Sequence, residues 1–251
     1  MMLTGLEKLQ KGGAFNVESE EIFLLIMKWY GYTKLMIQSN NVLNKRTVEL
    51  TIFFADRNIN SCVLKGQGTT LLYPDPTRHQ CGNIYLWVDD NRDEGLKLIR
   101  KEYHIGDVGI KYIDVDFLED APVEIHFNPS YSYYFVNGKR LAEWTKQNAY
   151  EQFAQYNVEI GLAFHTKGFN LVYSLLHIYR HLFSEGIGLR QMLDYYYILI
   201  HSSAEDRDGA YQVMGTIRMK GFAGAAMYVL HQVFGLSEHF SFVLLMRNRV
   251  S

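Results

Sequence analysis

The hydrophobic pattern of this chain changes part-way along, and the change limits the folds that it can adopt. Up to about residue 130, apolar residues come in short runs separated by glycine, proline and polar turns, as in residues 61–64 and 83–88. From Gly168 onward they recur at helical spacing over long segments. The first pattern is typical of strands mixed with helices, and the second of helices alone. The sequence therefore predicts an α/β part followed by a helical part.

Composition excludes several classes of protein. Of the 251 residues, 48% are hydrophobic and 21% charged, so the chain has enough apolar side chain to fold around a core. The net charge of −2 offers no general attraction to nucleic acid. Apolar runs such as residues 22–27 are far shorter than the ~20 residues of a membrane-spanning helix. Cys62 and Cys81 lack the spacing of a disulfide framework or of a zinc module, which suits a reducing cytoplasm. Together with the short apolar runs, this predicts a cytoplasmic protein without a membrane partner.

Local patterns place the elements. A helix is predicted over residues 19–30, with Ser19 as its N-cap, whereas residues 48–54 fit either a strand or a helix. A strand over 61–64 leads through a glycine turn into a helix over 69–73, which Pro74 ends. Further predicted elements are a strand over 83–88, a helix over 92–103, hairpin strands over 110–118 and 123–127, and helices over 169–183, 189–200, 211–219 and 223–234.

One segment carries a resemblance to a known family. It consists of Val63-Leu64-Lys65-Gly66, then Leu72-Tyr73-Pro74-Asp75-Pro76, Arg78, and Cys81-Gly82-Asn83-Ile84-Tyr85-Leu86-Trp87-Val88. Residues 123–127 (Val-Glu-Ile-His-Phe) and 188–194 (Gly-Leu-Arg-Gln-Met-Leu-Asp) agree with it in the same order. The chain resembles the uncharacterised nucleotidyltransferases of bacteria, within the DNA polymerase beta superfamily.

The resemblance implies a fold and a division of the chain. The fold is a nucleotidyltransferase-like mixed sheet with flanking helices, of the α+β or α/β class, followed by a helical domain. The expected segments are an N-terminal helical segment (1–45), the α/β core (46–130), a connecting region (131–167) and a C-terminal helical domain (168–251). After Gly235-Leu236-Ser237-Glu238 the chain departs from the family, so the resemblance also predicts a shortened helical domain.

The resemblance also implies a chemistry, which is transfer of a nucleoside monophosphate from a nucleoside triphosphate to an acceptor. Lys65, Gly66 and Arg78 match nucleotide-binding positions. In the superfamily, two Asp at positions i and i+2 of a strand bind Mg²⁺, because such residues project from the same face. A carboxylate on a neighbouring strand, matched here by Glu124, completes the catalytic site.

This chain departs from the pattern at the metal positions. Asn83 and Tyr85 stand where the family has its Asp pair, so only Glu124 is left as an acidic member of the metal set. Mg²⁺ is usually held through one or two carboxylates together with phosphates. Two hypotheses therefore stand: a nucleotidyltransferase with degraded activity, or a pseudoenzyme that kept the fold as a nucleotide- or protein-binding module.

Other side chains offer competing sites. Asp114 and Asp116 share one face of the first hairpin strand, and Glu124 and His126 share one face of the second, so the four could form a metal cluster or simply a solvated polar face. On the helical side, His177 and His181 stand four apart, which fits either a metal site or pairing to Asp194 or to backbone. Arg180 and Arg190 could face a nucleotide or lie on a helix surface.

Overall fold

A five-stranded sheet and a set of helices make up the protein in a computed structural model, which describes residues 20–89, 92–108, 112–116, 121–129, 135–157 and 160–242. The helices are α1 (Glu20–Ala55), α2 (Gly66–Thr70), α3 (Arg92–Glu102), α4 (Phe135–Ala154), α5 (Lys167–Ser184), α6 (Leu189–His201), α7 (Ala204–Thr216) and α8 (Lys220–Phe234). The strands are β1 (Ser61–Leu64), β2 (Ile84–Val88), β3 (His104–Val108), β4 (Tyr112–Asp116), β5 (Val123–His126), β6 (Tyr156–Asn157) and β7 (Leu162–Ala163). Single 3-10 turns cover Pro76–Arg78 and Glu238–Phe240.

The large sheet is mixed, as the sequence predicts. Its strand order is β1-β2-β5-β4-β3, with β2 and β5 parallel and the other pairs antiparallel. The predicted hairpin is the antiparallel pair β4 and β5, and residues 117–120 of the chain between them lie outside the described residues. The parallel register sets Tyr85 opposite Glu124, which brings two sequence-predicted site residues to adjacent strands.

The first helix is longer than predicted. Residues 48–54 continue α1 to Ala55 instead of forming a strand, and Ser19 lies outside the described residues. Leu43, Thr47, Leu50 and Phe54 are buried at intervals of three and four, so this half of α1 covers one face of the sheet. The pattern of residues 48–54 is ambiguous because the adjacent Phe53 and Phe54, near the end of this helix, interrupt the alternation that a strand would show.

The segment predicted as a connecting region, residues 131–167, contains the 20-residue helix α4. Two of its buried positions are the polar residues Thr145 and Gln152, which hide the helical periodicity in the sequence. Gln152 is satisfied inside the fold, since its Nε2 donates to the Asn148 carbonyl oxygen (3.2 Å) and its Oε1 accepts from the Thr166 N–H (2.7 Å). The two halves are therefore joined by a helix, in a segment where the sequence shows few helix-breaking residues and little periodicity.

The predicted helices of the second half are all present, with α7 beginning at Ala204, seven residues earlier than expected. They enclose a core of their own, separate from the core between α1 and the sheet. A smaller aromatic cluster joins the two: Trp87 of β2 stacks against Phe169 of α5 (ring centroids 5.7 Å apart), which also stacks on Trp144 of α4 (4.8 Å). In the described part of the chain, no helix is long and apolar enough to cross a membrane.

Asn40 of α1 holds the loop that leads from α2 to β2. Its Nδ2 donates to the carbonyl oxygens of Thr77 (2.9 Å) and His79 (2.5 Å), and its Oδ1 accepts from the Cys81 N–H (3.3 Å). The side chain is buried, so these hydrogen bonds replace water for backbone groups that have no partner of their own in a regular element. One side chain thus fixes the loop over its whole middle section.

We expect Asn40→Ala to lower the free energy of unfolding by about 2–4 kcal/mol, because it leaves buried backbone groups of the loop without hydrogen bonds. Urea denaturation followed by circular dichroism measures the change. The matched control is Asn41→Ala, next along the same helix at an exposed position, which should change stability by less than about 0.5 kcal/mol. Equal effects of the two substitutions would show that Asn40 does not hold the loop.

Candidate functional site

A cleft of about 390 Å³ lies between the sheet and the helical half. One wall is the turn after β1 (Lys65, Gly66) with the start of β2, and the opposite wall is formed by α5 and α6. The cleft brings together four of the six sequence-predicted site residues, because Lys65, Gly66, Asn83 and Tyr85 all line it. Glu124 lies directly behind them, opposite Tyr85 in the sheet register.

Lys65 occupies the turn in a strained conformation. Its φ is 52°, in the left-handed region that favours glycine, and its N–H donates to Nε2 of the buried His165 (3.3 Å). Its Nζ lies 3.5 Å from the ring centroid of Tyr85 and 3.1 Å from Nε2 of His177. Burial lowers the pKa of Lys65 to about 7, although the nearby carboxylate of Glu124 acts in the opposite direction. A lysine amine is thereby fixed at the centre of the cleft.

Glu124 is already engaged by its neighbours. One of its oxygens accepts a hydrogen bond from Nδ2 of Asn83 (2.9 Å), and the other lies 3.4 Å from Nε2 of His126. Burial acts to raise the pKa of Glu124, but the hydrogen bond from Asn83 together with the nearby His126 ring and Lys65 outweighs it, and the pKa is held below its usual range. Burial lowers the pKa of His126. The carboxylate is therefore stabilised in its charged form by side chains of the protein itself.

The residues at the implied Mg²⁺ positions do not fit a divalent metal. Asn83 turns its amide nitrogen, a donor, toward Glu124, and the aromatic face of Tyr85 is covered by the ammonium group of Lys65. Mg²⁺ needs several oxygen ligands in near-octahedral geometry. Among the residues that the structure describes, no group of three His, Cys, Asp or Glu side chains could hold a metal ion.

The competing hairpin site is placed by its backbone alone. Asp114 stands opposite Glu124 and Asp116 opposite His104 in the strand register. The side chains of Asp114 and Asp116 lie outside the described part of the structure. A cluster of these two residues with Glu124 and His126 therefore stays a prediction.

Asp194 has other partners than the sequence suggested. Its Oδ1 accepts from the hydroxyl of Tyr73 (2.5 Å) and lies 2.7 Å from Nε2 of His79, whereas His177 contacts Lys65. His181 lies 3.4 Å from a carboxylate oxygen of Glu185, one turn further along α5. Pairing of these histidines with Asp194 is thus wrong, because the carboxylate on α6 faces the loop after α2 rather than α5. The network of Tyr73, His79 and Asp194 ties that loop to the helical half.

The structure does not bring Arg78 to the cleft. Its Nε lies 2.8 Å from a carboxylate oxygen of Asp75 in the same 3-10 turn, so its nucleotide-binding role stays a prediction without geometric support. Arg190 of α6 lines the cleft instead and donates to the carbonyl oxygen of Gln80 (3.1 Å). The sequence does not mark His165 as a site residue, because a lone histidine in a segment of low periodicity belongs to no recognisable motif.

A comparison with protein families now identifies the chain. A model described as uncharacterised nucleotidyltransferase matches residues 22–235. The chain belongs to the uncharacterised nucleotidyltransferase family. This confirms the family that the motifs of residues 63–88 predicted, and the mixed sheet with its following helices is the fold of this member.

A solved structure gives a more distant likeness. A crystal structure of an antigenic nucleotidyltransferase-like protein from Paracoccidioides brasiliensis aligns with a TM-score of 0.41 at 13% identity. The alignment covers 74% of this chain and 92% of that chain. A search of the curated proteins finds no match.

His165 gives the site a testable dependence on pH. Its burial lowers its pKa to about 4, from 6.5 for an ordinary histidine. Between these values the unfolded chain binds the proton more readily, so stability is complete above pH 6.5 and is lost as the pH falls toward 4. Replacing His165 by Gln, which keeps an acceptor for the Lys65 N–H, should remove this component, up to about 1.4 kcal/mol per pH unit.

The measurement is the free energy of unfolding of both proteins between pH 4 and pH 8, from urea denaturation. We expect the free energies of unfolding of wild type and of His165→Gln to approach each other as the pH falls. The control is His201→Gln, which replaces a histidine at an exposed position on α6, away from the Lys65 turn. Parallel curves for wild type and His165→Gln would contradict the assignment.

Proposed function

We propose that the cleft binds a nucleoside triphosphate with its phosphates against Lys65 and Gly66, and that it does so without a divalent metal. The proposal favours a nucleotide-binding member of the family over an active transferase. The observation that carries it is the position of the Lys65 ammonium, 3.5 Å above the ring of Tyr85.

A lysine amine at this place favours phosphate, because the negative charge of a bound phosphate raises the pKa of the amine and holds it in its charged form. The resemblance assigns the position of Tyr85 to one of the metal-binding carboxylates, so the Lys65 charge lies where a metal would neutralise the phosphate chain. The ring of Tyr85 supports the ammonium by a cation–π interaction. Across the cleft, the guanidinium of Arg190 adds a second charge with the planar donor geometry that suits phosphate oxygens.

The surroundings of Glu124 disfavour transfer. A nucleotidyl transfer of the family type needs carboxylate oxygens for metal ions, and here the Asn83 amide and the His126 ring engage both oxygens of Glu124. To act on a metal or on an acceptor hydroxyl, Glu124 would have to give up interactions that keep its pKa low. A protein that only binds the nucleotide does not need the oxygens of Glu124, so the contacts with Asn83 and His126 can stay in place.

The buried thiols of Cys62 and Cys81, which are free, suit a reducing compartment. A cytoplasmic location is therefore part of the proposal.

Titration calorimetry with ATP tests the binding. We expect the same dissociation constant in the presence of EDTA and of Mg²⁺, and a weakening of about tenfold or more in Lys65→Gln, because a charge-assisted contact is lost. Lys97→Gln is the control, since Lys97 is an exposed lysine on α3, ion-paired with Glu94, and the substitution should not change the affinity. ATP binding that requires Mg²⁺ would refute the proposal and favour the transferase.

A second prediction concerns the metal positions. The double substitution Asn83→Asp and Tyr85→Asp places two carboxylates beside Glu124 and removes the ring under Lys65. We expect it to create a Mn²⁺ site, because three carboxylates then meet at one edge of the sheet. Electron paramagnetic resonance of free Mn²⁺ measures the binding, and pyrophosphate release from ATP reports any transfer activity.

The matched control is Tyr85→Phe, which keeps an aromatic face for Lys65 and should bind no Mn²⁺. If the double variant folds and still binds no Mn²⁺, residues 83 and 85 are not the metal positions of this fold.

A further inference from the structure

The first half of α1 extends beyond the part of the helix that packs on the sheet. The buried residues of α1 all lie between Asn40 and Phe54. Residues 20–39 include no buried residue and take part in none of the hydrophobic cores that the described residues form. At 1.5 Å per residue, this half of the helix is about 30 Å long. Helices in proteins gain most of their stability from packing, which this half lacks.

Large apolar side chains are exposed along this half of α1. Six of them are between 48% and 62% exposed, namely Phe23, Leu24, Met27, Tyr30, Tyr32 and Leu35. With roughly 150–250 Å² for an aromatic side chain and somewhat less for Leu and Met, they present on the order of 600–700 Å² of surface. The largest apolar patch on a typical monomer is about 300–600 Å², and each partner in a standard interface contributes about 800 Å². The patch therefore has the size of a protein interface.

Gly31 lies within one face of this patch. Leu24, Met27 and Leu35 share the face with it, at intervals of three and four residues. Glycine in the middle of a helix is unfavourable relative to alanine. The fold itself does not require it, because a Cβ added at Gly31 would meet no atom within 4 Å. A small residue here lets a second helix approach closely, since the side chains at the contact set the distance between packed helices.

The charged residues of this segment are complementary to themselves. Glu20 and Glu21 stand at its start, and Lys28 and Lys34 follow. Glu20 and Lys34 are about 21 Å apart along the helix axis, too far to pair within one copy. Within the described ranges neither of them is part of an ion pair. A second α1 that runs antiparallel, with a twofold axis at Met27, would set Glu20 of each copy beside Lys34 of the other.

The balance of charge disfavours a lipid surface as the partner. Helices that lie on membranes carry a strongly polar face that is rich in Lys and Arg. In residues 20–38 two Lys are matched by two Glu, and apolar side chains are exposed over most of the helix circumference. A helix that is apolar on most sides is typical of one buried between protein elements.

We infer that residues 20–38 of α1 form a homodimer interface, in which two copies of the chain pair antiparallel about a twofold axis at Met27. Leu24 of each copy packs beside Gly31 of the other, and Glu20 faces Lys34 at both ends. The apolar face supplies the affinity, and the charge pairs fix the orientation. One patch is used twice, as a closed twofold dimer requires. The residues that line the nucleotide cleft are not part of this interface.

Sedimentation velocity of the full chain between about 1 and 100 µM measures the association, since interfaces of standard size give dissociation constants of micromolar or lower. We expect the chain to be a dimer at the upper end of this range. Addition of ATP should leave the association unchanged, because the interface and the cleft share no residue.

Gly31→Gln tests the close approach of the two helices. The longer side chain has open space within one copy and a better helix propensity, but it holds the two helices apart. We expect the dissociation constant of the dimer to rise about tenfold or more, while circular dichroism shows that the helix content is kept. The matched control is Gly209→Gln on α7, where an added Cβ also meets no atom within 4 Å, and it should not change the dissociation constant.

Charge reversal tests the orientation. Glu20→Lys and Lys34→Glu each bring like charges together at both ends of the interface and should weaken the dimer severalfold. The two substitutions combined restore opposite charges and should recover the affinity. Glu143→Lys makes the same change of charge at an exposed position on α4, and is expected to have no effect.

The inference is overturned if the full chain is a monomer throughout the concentration range, if Gly31→Gln dimerises as well as wild type, or if the combined charge reversal does not recover the affinity that each single reversal loses. A monomer that binds vesicles of phosphatidylcholine and phosphatidylglycerol would assign the face to a lipid surface and also overturn it. Loss of the dimer leaves the proposed nucleotide binding standing, and failure of the ATP titration leaves the dimer standing.

Discussion

The buried amine of Lys65 is the interaction on which the architecture of the cleft depends. Its backbone N–H is held by His165, its Nζ by the ring of Tyr85 and by His177, so a single residue joins the end of β1 to β2 and to α5. The charged form of a lysine amine is unfavourable away from water, and burial therefore lowers the pKa of Lys65. The backbone at Lys65 has a φ of 52°, a conformation that costs energy in a residue other than glycine.

The carboxylate behind this amine is internally compensated. Glu124 accepts a hydrogen bond from Asn83 and lies close to the His126 ring and to Lys65, so side chains of the protein stabilise its charge. Buried polar groups of the loop after α2 are likewise bound by side chains of the protein, with Asn40 on one side and Asp194 on the other. Polar groups of the sheet wall therefore bind one another, while Lys65 and Arg190 line the cleft from opposite walls.

Local pattern predicted much of this fold, since β1, β2 and the helices of the second half rest on short apolar runs or on clear helical periodicity. It failed at α4, where Thr145 and Gln152 occupy buried positions, and at residues 48–54, where burial against the sheet decided for helix. In the site, the resemblance assigned Lys65, Gly66, Asn83, Tyr85 and Glu124, which lie close together in the structure, and their roles stay predictions. It could not foresee His165 or the partners of Asp194, because these contacts join residues a hundred or more positions apart.

Those long separations give the cleft a particular place in the folding of the chain. The contact of Lys65 with His177 spans 112 residues and that of Tyr73 with Asp194 spans 121, so each closes a loop that contains most of the sheet and all of α4. Closing such loops is entropically costly and is repaid only when both halves have already formed. The cleft is thus among the last features to assemble, and a molecule bound in it recognises only fully folded chains, which it stabilises by mass action against partial unfolding.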